Sequence, residues 1–160
     1  MTASELPEQA LDGELEPQKP LAEPFLPFEI SISESDLRQL SPALLAYLGD
    51  AVFELYVRQS LLLPPKRIRN YHQEVVSKVR AEAQLDYLQT LMPYLTEAEC
   101  EVVRRGRNAT TTRSRRAAPD VYQQASALET LIGYLYLTDR SRLSHLFSLL
   151  TLDLPSSPSS

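Results

Sequence analysis

The stretch Ser41-Pro42-Ala43-Leu44-Leu45-Ala46-Tyr47-Leu48-Gly49-Asp50-Ala51-Val52-Phe53-Glu54-Leu55 decides the fold. Ser41 is a good N-cap, and Pro42 fits the first helical turn, where its absent N–H is not missed. Leu44, Leu45, Leu48, Val52 and Leu55 then recur at spacings of one, three and four residues. That period predicts an amphipathic helix over residues 42 to 61, stopped by Pro64-Pro65. Two neighbours interrupt the apolar pattern. Asp50 places a carboxylate on it, and Gly49 is locally unfavourable in a helix by about 1 kcal/mol relative to alanine.

The same pairing returns in Ala127-Leu128-Glu129-Thr130-Leu131-Ile132-Gly133. An ionised carboxylate moved from water into a helical core costs on the order of several kcal/mol unless a cation, a proton or dense hydrogen bonding compensates it. Two such groups point to a shared cation, and two glycines point to close approach of another backbone or a ligand. The plainer alternative is that the helices simply pack there, with both carboxylates on their solvent edges.

Working outward, the rest of the chain is also helical in pattern. An amphipathic stretch from Lys66 to Leu91 carries Val75, Val76, Val79, Ala83 and Leu88 on its apolar side, with a break expected near Asn70 and a stop at Pro93. Thr96-Glu97-Ala98-Glu99 is a capping-box pattern opening a helix toward Gly106. Residues 108 to 118 are polar and arginine-rich and read as a loop. Pro119 starts the helix that carries Glu129, and Asp139 caps a final helix through Leu150. No segment alternates with period two, so the expectation is an all-α bundle of five to seven helices over residues 28–152. Residues 1–27, with Pro7, Pro17, Pro20, Pro24 and Pro27 among scattered acids, read as an acidic, proline-rich disordered arm, and residues 153–160 as a flexible tail.

A chain of 160 residues holds one domain with a real core. Its single cysteine, Cys100, excludes an intramolecular disulfide, and there is no signal pattern or membrane-length apolar run, so a cytoplasmic protein is expected. The net charge of −5 hides a strong polarity. Residues 1 to 23 carry six acids against Lys19, and the remainder balances fifteen acids with fifteen bases. Within it, Arg104, Arg105, Arg107, Arg113, Arg115 and Arg116 form a run of positive charge with no acid. Such a run is either a solvated loop or a phosphate-binding surface. Lys66, Arg67 and Arg69 form a smaller basic cluster.

Asp50 and Glu129 suit Mg²⁺, which prefers hard oxygen ligands and is held by one or two carboxylates together with substrate phosphate. Glu54, four residues from Asp50 on the same face, either binds a water of the metal or pairs with a nearby arginine. Zinc is a poor fit, because His72 and His145 lack ligand spacing with Cys100. The dispersed glycines exclude a phosphate loop.

These residues resemble a known family. Leu48-Gly49-Asp50-Ala51-Val52 is similar to the core of the ribonuclease III signature, and residues 127–133 resemble that family's second acidic motif. Ser77-Lys78-Val79-Arg80-Ala81 resembles a helical segment between them. The order and separation match, and the Mini-ribonuclease III branch is similar from Leu44 to Leu150, including Arg104-Arg105-Gly106-Arg107-Asn108-Ala109. The larger family has two glutamates where this chain has Ala43 and Ala46, and an aspartate where it has Ser126. Fewer carboxylates are therefore left to hold metal.

The resemblance implies a ribonuclease III-like helical endonuclease domain acting as a homodimer, with Tyr47, Phe53 and Tyr56 as candidate interface anchors. Asp50 and Glu129 would be the catalytic metal ligands for Mg²⁺, with Mn²⁺ as a substitute, and Glu54 would support them. Double-stranded RNA would be the substrate, as a precursor of large-subunit (23S) ribosomal RNA, and a large-subunit ribosomal protein is a candidate partner. With no appended double-stranded RNA-binding domain, the contact falls to Arg104, Arg105, Arg107, Asn108, Arg113, Arg115 and Arg116, which can follow phosphates without reading bases. The rival expectation is a non-catalytic scaffold of the same fold that holds RNA or a ribosomal partner.

Overall fold

A computed structural model describes residues 30–109 and 119–152. The expectations for the arm, for Arg113, Arg115 and Arg116, and for the tail lie outside these residues. Within them the chain forms seven α-helices and no strand. They are α1 (Glu34–Gln39), α2 (Pro42–Ser60), α3 (Ile68–Val79), α4 (Ala81–Leu91), α5 (Glu97–Ala109), α6 (Pro119–Thr138) and α7 (Arg140–Ser148), with a 3-10 turn (Met92–Tyr94) before α5. No helix among the described residues is long and apolar enough to cross a membrane.

The caps explain most of these boundaries. Ser41 Oγ accepts from the Leu44 amide at 3.2 Å to start α2. At α5 the capping box is reciprocal, with the Thr96 amide donating to Glu99 Oε2 at 2.8 Å and the Glu99 amide to Thr96 Oγ1 at 3.2 Å. Asp139 Oδ1 accepts from the Arg142 amide at 2.8 Å to start α7.

Helix α6 is the axis of the bundle, packed against α2, α4, α5 and α7. Ala125 to Thr130 and Leu131 to Gly133 are buried with Glu129 as the exception, so the helix is enclosed on nearly all sides. Two glycines set its crossing with α2. A Cβ added to Gly49 would lie 1.8 Å from the Glu129 carbonyl oxygen, and one added to Gly133 would lie 2.0 Å from the Leu45 carbonyl oxygen. Gly106 does the same for α5, where a Cβ would meet Thr130 Oγ1 at 2.6 Å. Backbone therefore lies against backbone where the two acidic motifs meet, which accounts for glycine inside both helices.

Several expectations need correction. The break in the Lys66 to Leu91 stretch falls at Arg80, whose extended backbone (φ −65°, ψ 155°) separates α3 from α4, and not near Asn70. No proline or glycine marks it. The Gln84 side chain caps the end of α3 instead, donating to the Val79 carbonyl at 3.0 Å. Asn108 and Ala109, read as the start of a loop, belong to α5, which also carries Arg104, Arg105 and Arg107. Phe53 is fully buried in the core, which removes it as an interface anchor, and the half-buried Tyr56 stacks on Phe147 at 4.1 Å and donates to its carbonyl. Tyr47, 84% exposed, remains free for that role.

Candidate active site

The close crossing of α2 and α6 has a chemical consequence. Asp50 follows Gly49 on α2, and Glu129 precedes Thr130 on α6, so both side chains emerge where the two backbones touch. They line one cavity of ≈ 390 Å³, shared with Ala46, Tyr47, Tyr122 and Ser126 and bordered by Gly106 and Ala109 of α5. Thr130 closes its wall by donating to the Ser126 carbonyl at 2.7 Å and the Pro42 carbonyl at 3.3 Å.

The electrostatics are those of two acids that no cation among the described residues pairs with. Burial pushes the Glu129 carboxyl up to about 7, the Asp50 charge adds to the effect, and a hydrogen bond from the Gln84 amide partly offsets it. Asp50 is also raised, first by desolvation and then by the charge of Glu54. The other partly buried acids of the fold behave differently. Glu99 is held below its usual value by Arg142, whose guanidinium donates to both carboxylate oxygens at 2.8 and 2.9 Å. Lys66 pairs with Glu74 at 2.6 Å, which removes that lysine from the smaller basic cluster. Asp50 and Glu129 line the same cavity with no such pairing among the described residues, and a divalent cation between them would supply the relief. Among the described residues there is no group of three or more Asp, Glu, His or Cys placed to hold a metal. The donor set is thus a pair that leaves coordination positions for water and phosphate, which suits Mg²⁺.

Glu54 takes the second of its two expected roles. It pairs with Arg58 one turn along α2, and acts on Asp50 through its charge. The α5 arginines are less free than the sequence implies. Arg104 pairs with Glu101 at 2.5 Å, and Arg107 donates from Nη2 to Gln124 Oε1 at 2.9 Å. Arg105 and Asn108 are exposed, and the α5 end that carries Asn108 borders the cavity through Gly106 and Ala109. Gln84 is the residue sequence reading missed. It is 2% exposed on the buried face of α4 with Leu88 and Leu91, where the sequence expectation puts Ala83. The spacing of 84, 88 and 91 is the signal that reveals it.

The comparisons with known proteins agree with this geometry. The ribonuclease III domain model matches residues 43–140. A Mini-ribonuclease 3 from Synechocystis sp. is 60% identical over 116 residues, covering 72% of this chain and 81% of that protein. A Mini-ribonuclease 3 from Clostridium tetani is 36% identical over 121 residues, covering 73% and 80%. A crystal structure of a Fusobacterium nucleatum protein superposes with a TM-score of 0.66 at 29% identity, covering 70% of this chain and 93% of that one. With helices, acidic motifs and relatives in accord, the chain belongs to the ribonuclease III family, in its Mini-ribonuclease 3 branch, and is an endoribonuclease of that type.

Proposed function

We propose that this endoribonuclease cleaves double-stranded RNA with Mg²⁺, or Mn²⁺ in its place, held by Asp50 and Glu129. The observation that carries the proposal is the convergence of these two carboxylates on one cavity, where burial raises both, the Asp50 charge raises Glu129 further, and no cation among the described residues is paired with either. When bound, the metal supplies charge neutralisation at the scissile phosphate and lowers the pKa of the attacking water. Asp50, on the exposed side, meets the incoming phosphodiester. Glu129, half-buried, fixes the inner side of the site on the most rigidly enclosed helix. Arg105 and Asn108 on α5, together with Arg113, Arg115 and Arg116, contact the RNA backbone, where each neutralised phosphate adds a salt-dependent contribution to binding.

The active form is a homodimer, so that two sites cut opposite strands of one duplex. Support comes from α2, whose outer face exposes Leu44, Tyr47, Ala51 and Leu55 at helical spacing beside the cavity. The substrate is a structured stem of the large-subunit (23S) ribosomal RNA precursor, presented with or without a ribosomal protein, in the cytoplasm. The test is incubation of a long RNA duplex with the protein in Mg²⁺ or in chelator, beside Asp50→Asn. Metal-dependent shortening by the wild type, lost in Asp50→Asn with duplex binding kept, is the expected result. Duplex retention without shortening would favour the scaffold reading.

A further inference from the structure

The cavity that holds Asp50 and Glu129 is also lined by hydroxyl groups, and one of them has no task inside the described fold. Tyr122, Ser126 and Glu129 follow one another at steps of four and three along α6, so they share one face of that helix, and all three line the cavity. No lysine or arginine among the described residues lines it. The Thr130 hydroxyl is taken up by the Ser126 and Pro42 carbonyls. Elsewhere half-buried tyrosines anchor their hydroxyls on backbone, Tyr56 donating to the Phe147 carbonyl at 3.0 Å and Tyr71 to the Arg58 carbonyl at 2.8 Å. Tyr122 is also half-buried, yet its hydroxyl has no hydrogen-bond partner among the described residues. Phenylalanine would fill the same space, so the hydroxyl is what Tyr122 adds to the cavity.

Two constraints select what that hydroxyl meets. A cavity with two carboxylates and no basic side chain repels a phosphate unless a divalent cation brings it in, so phosphate falls to the metal. A phenol both donates and accepts, which matches a hydroxyl better than an anion. On the backbone of A-form RNA the group of that kind is the ribose 2′-hydroxyl, and it is also what separates RNA from DNA at a given site. Position along α6 says which ribose. Tyr122 lies about 10 Å along the helix from Glu129, and helix side chains lean toward the N-terminus, which carries the phenol away from the carboxylates. That offset suits a sugar beside the scissile phosphate. We propose that Tyr122 is a specificity-determining residue: its hydroxyl hydrogen-bonds the ribose 2′-hydroxyl of a nucleotide flanking the scissile bond, so that the catalytic cavity itself tells RNA from DNA. The role rests on the nuclease reading above and deepens it, since arginine contacts to phosphate alone do not read the sugar.

The experiment uses a short RNA duplex with one mapped cleavage site and two further duplexes, each with a single 2′-deoxy nucleotide on one side of that site. A neutral hydrogen bond contributes about two- to tenfold to a rate or an affinity, so wild type should cut one of the deoxy duplexes with kcat/KM about fivefold lower. Tyr122→Phe should show a like loss on the all-RNA duplex and no further loss on that deoxy duplex, because one bond cannot be removed twice. Its Mn²⁺ affinity without RNA, read from the free-ion electron paramagnetic resonance signal, should match wild type. Losses that multiply on the deoxy duplex overturn the role, as does a Tyr122→Phe protein that cuts all-RNA as fast as wild type. Weaker Mn²⁺ binding in Tyr122→Phe overturns it too, because the hydroxyl would then act through the metal. One arm needs no variant: equal cutting of all three duplexes by wild type means that no flanking 2′-hydroxyl is read. The two levels separate cleanly. Wild type that does not cut the all-RNA duplex in Mg²⁺ defeats the nuclease reading and this role with it, whereas wild type that cuts it and is indifferent to the deoxy substitutions defeats this role alone.

Discussion

Replacing Gly49 by alanine tests the crossing on which the site is built. In an exposed helix the change would stabilise by about 1 kcal/mol. Here the new methyl carbon would lie 1.8 Å from the Glu129 carbonyl oxygen and 2.8 Å from the Gly133 amide nitrogen, against 3.4 Å for ordinary contact. Both obstacles are backbone atoms of an enclosed helix and have no rotamer with which to yield. Helices α2 and α6 must part by more than an ångström along their line of contact, and overpacking of that kind costs about 3 kcal/mol. The net loss is about 2 kcal/mol, or roughly 8 °C in Tm for a domain of this size. Separation of the helices also moves Asp50 from Glu129, so Mn²⁺ affinity should fall with stability. Calorimetric melting of Gly49→Ala beside wild type measures the first effect, and a Tm at or above wild type would refute the close crossing.

The raised Glu129 has a definite sign in the metal-free protein. A carboxyl at about 7 in the folded chain and 4.5 without its surroundings stabilises folding most below the lower value, and about 3 kcal/mol of that is lost as pH rises through the interval. Denaturant melts in chelator should show this decline for wild type and a flatter profile for Glu129→Gln, and parallel profiles would contradict the burial assigned to the group. The Glu99–Arg142 pair has the opposite sign, because Glu99 is lowered, so its contribution is present above the usual carboxylate range and is lost as pH falls. Arg142→Met should cost about 3 kcal/mol near neutral pH, and less in acid, by urea denaturation. An equal cost at both pH values would exclude the ion pair as the cause. Replacing Leu44 and Leu55 together by aspartate should convert the proposed dimer to monomer in sedimentation velocity, and an unchanged dimer mass would move the interface off the outer face of α2.

Six of the seven helices fall in stretches with local signals in the sequence, because their caps and apolar spacing act within a few residues. Ser41-Pro42, the Thr96–Glu99 box and Asp139 start helices as expected. The short α1 lacks a sustained apolar period and is not anticipated, although Ser33 caps it. The boundary at Arg80 has no local breaker, since the carbonyl it frees is capped by a side chain five residues on. Within the site, Asp50 and Glu129 are conspicuous in the sequence because charge on an apolar face is rare. Gln84 is not, because an amide carries no such penalty signal until its burial is known.

The sequence by itself determined the helical class, most helix starts, and the two acids proposed as metal ligands, since propensity, capping and periodicity are short-range. Only the tertiary structure decided that two glycines bring those acids to one cavity, that the arginines after Glu101 begin as helix with some already paired, and that Phe53 is core. Those outcomes depend on which helix faces meet, and that is fixed by packing between residues far apart in the chain.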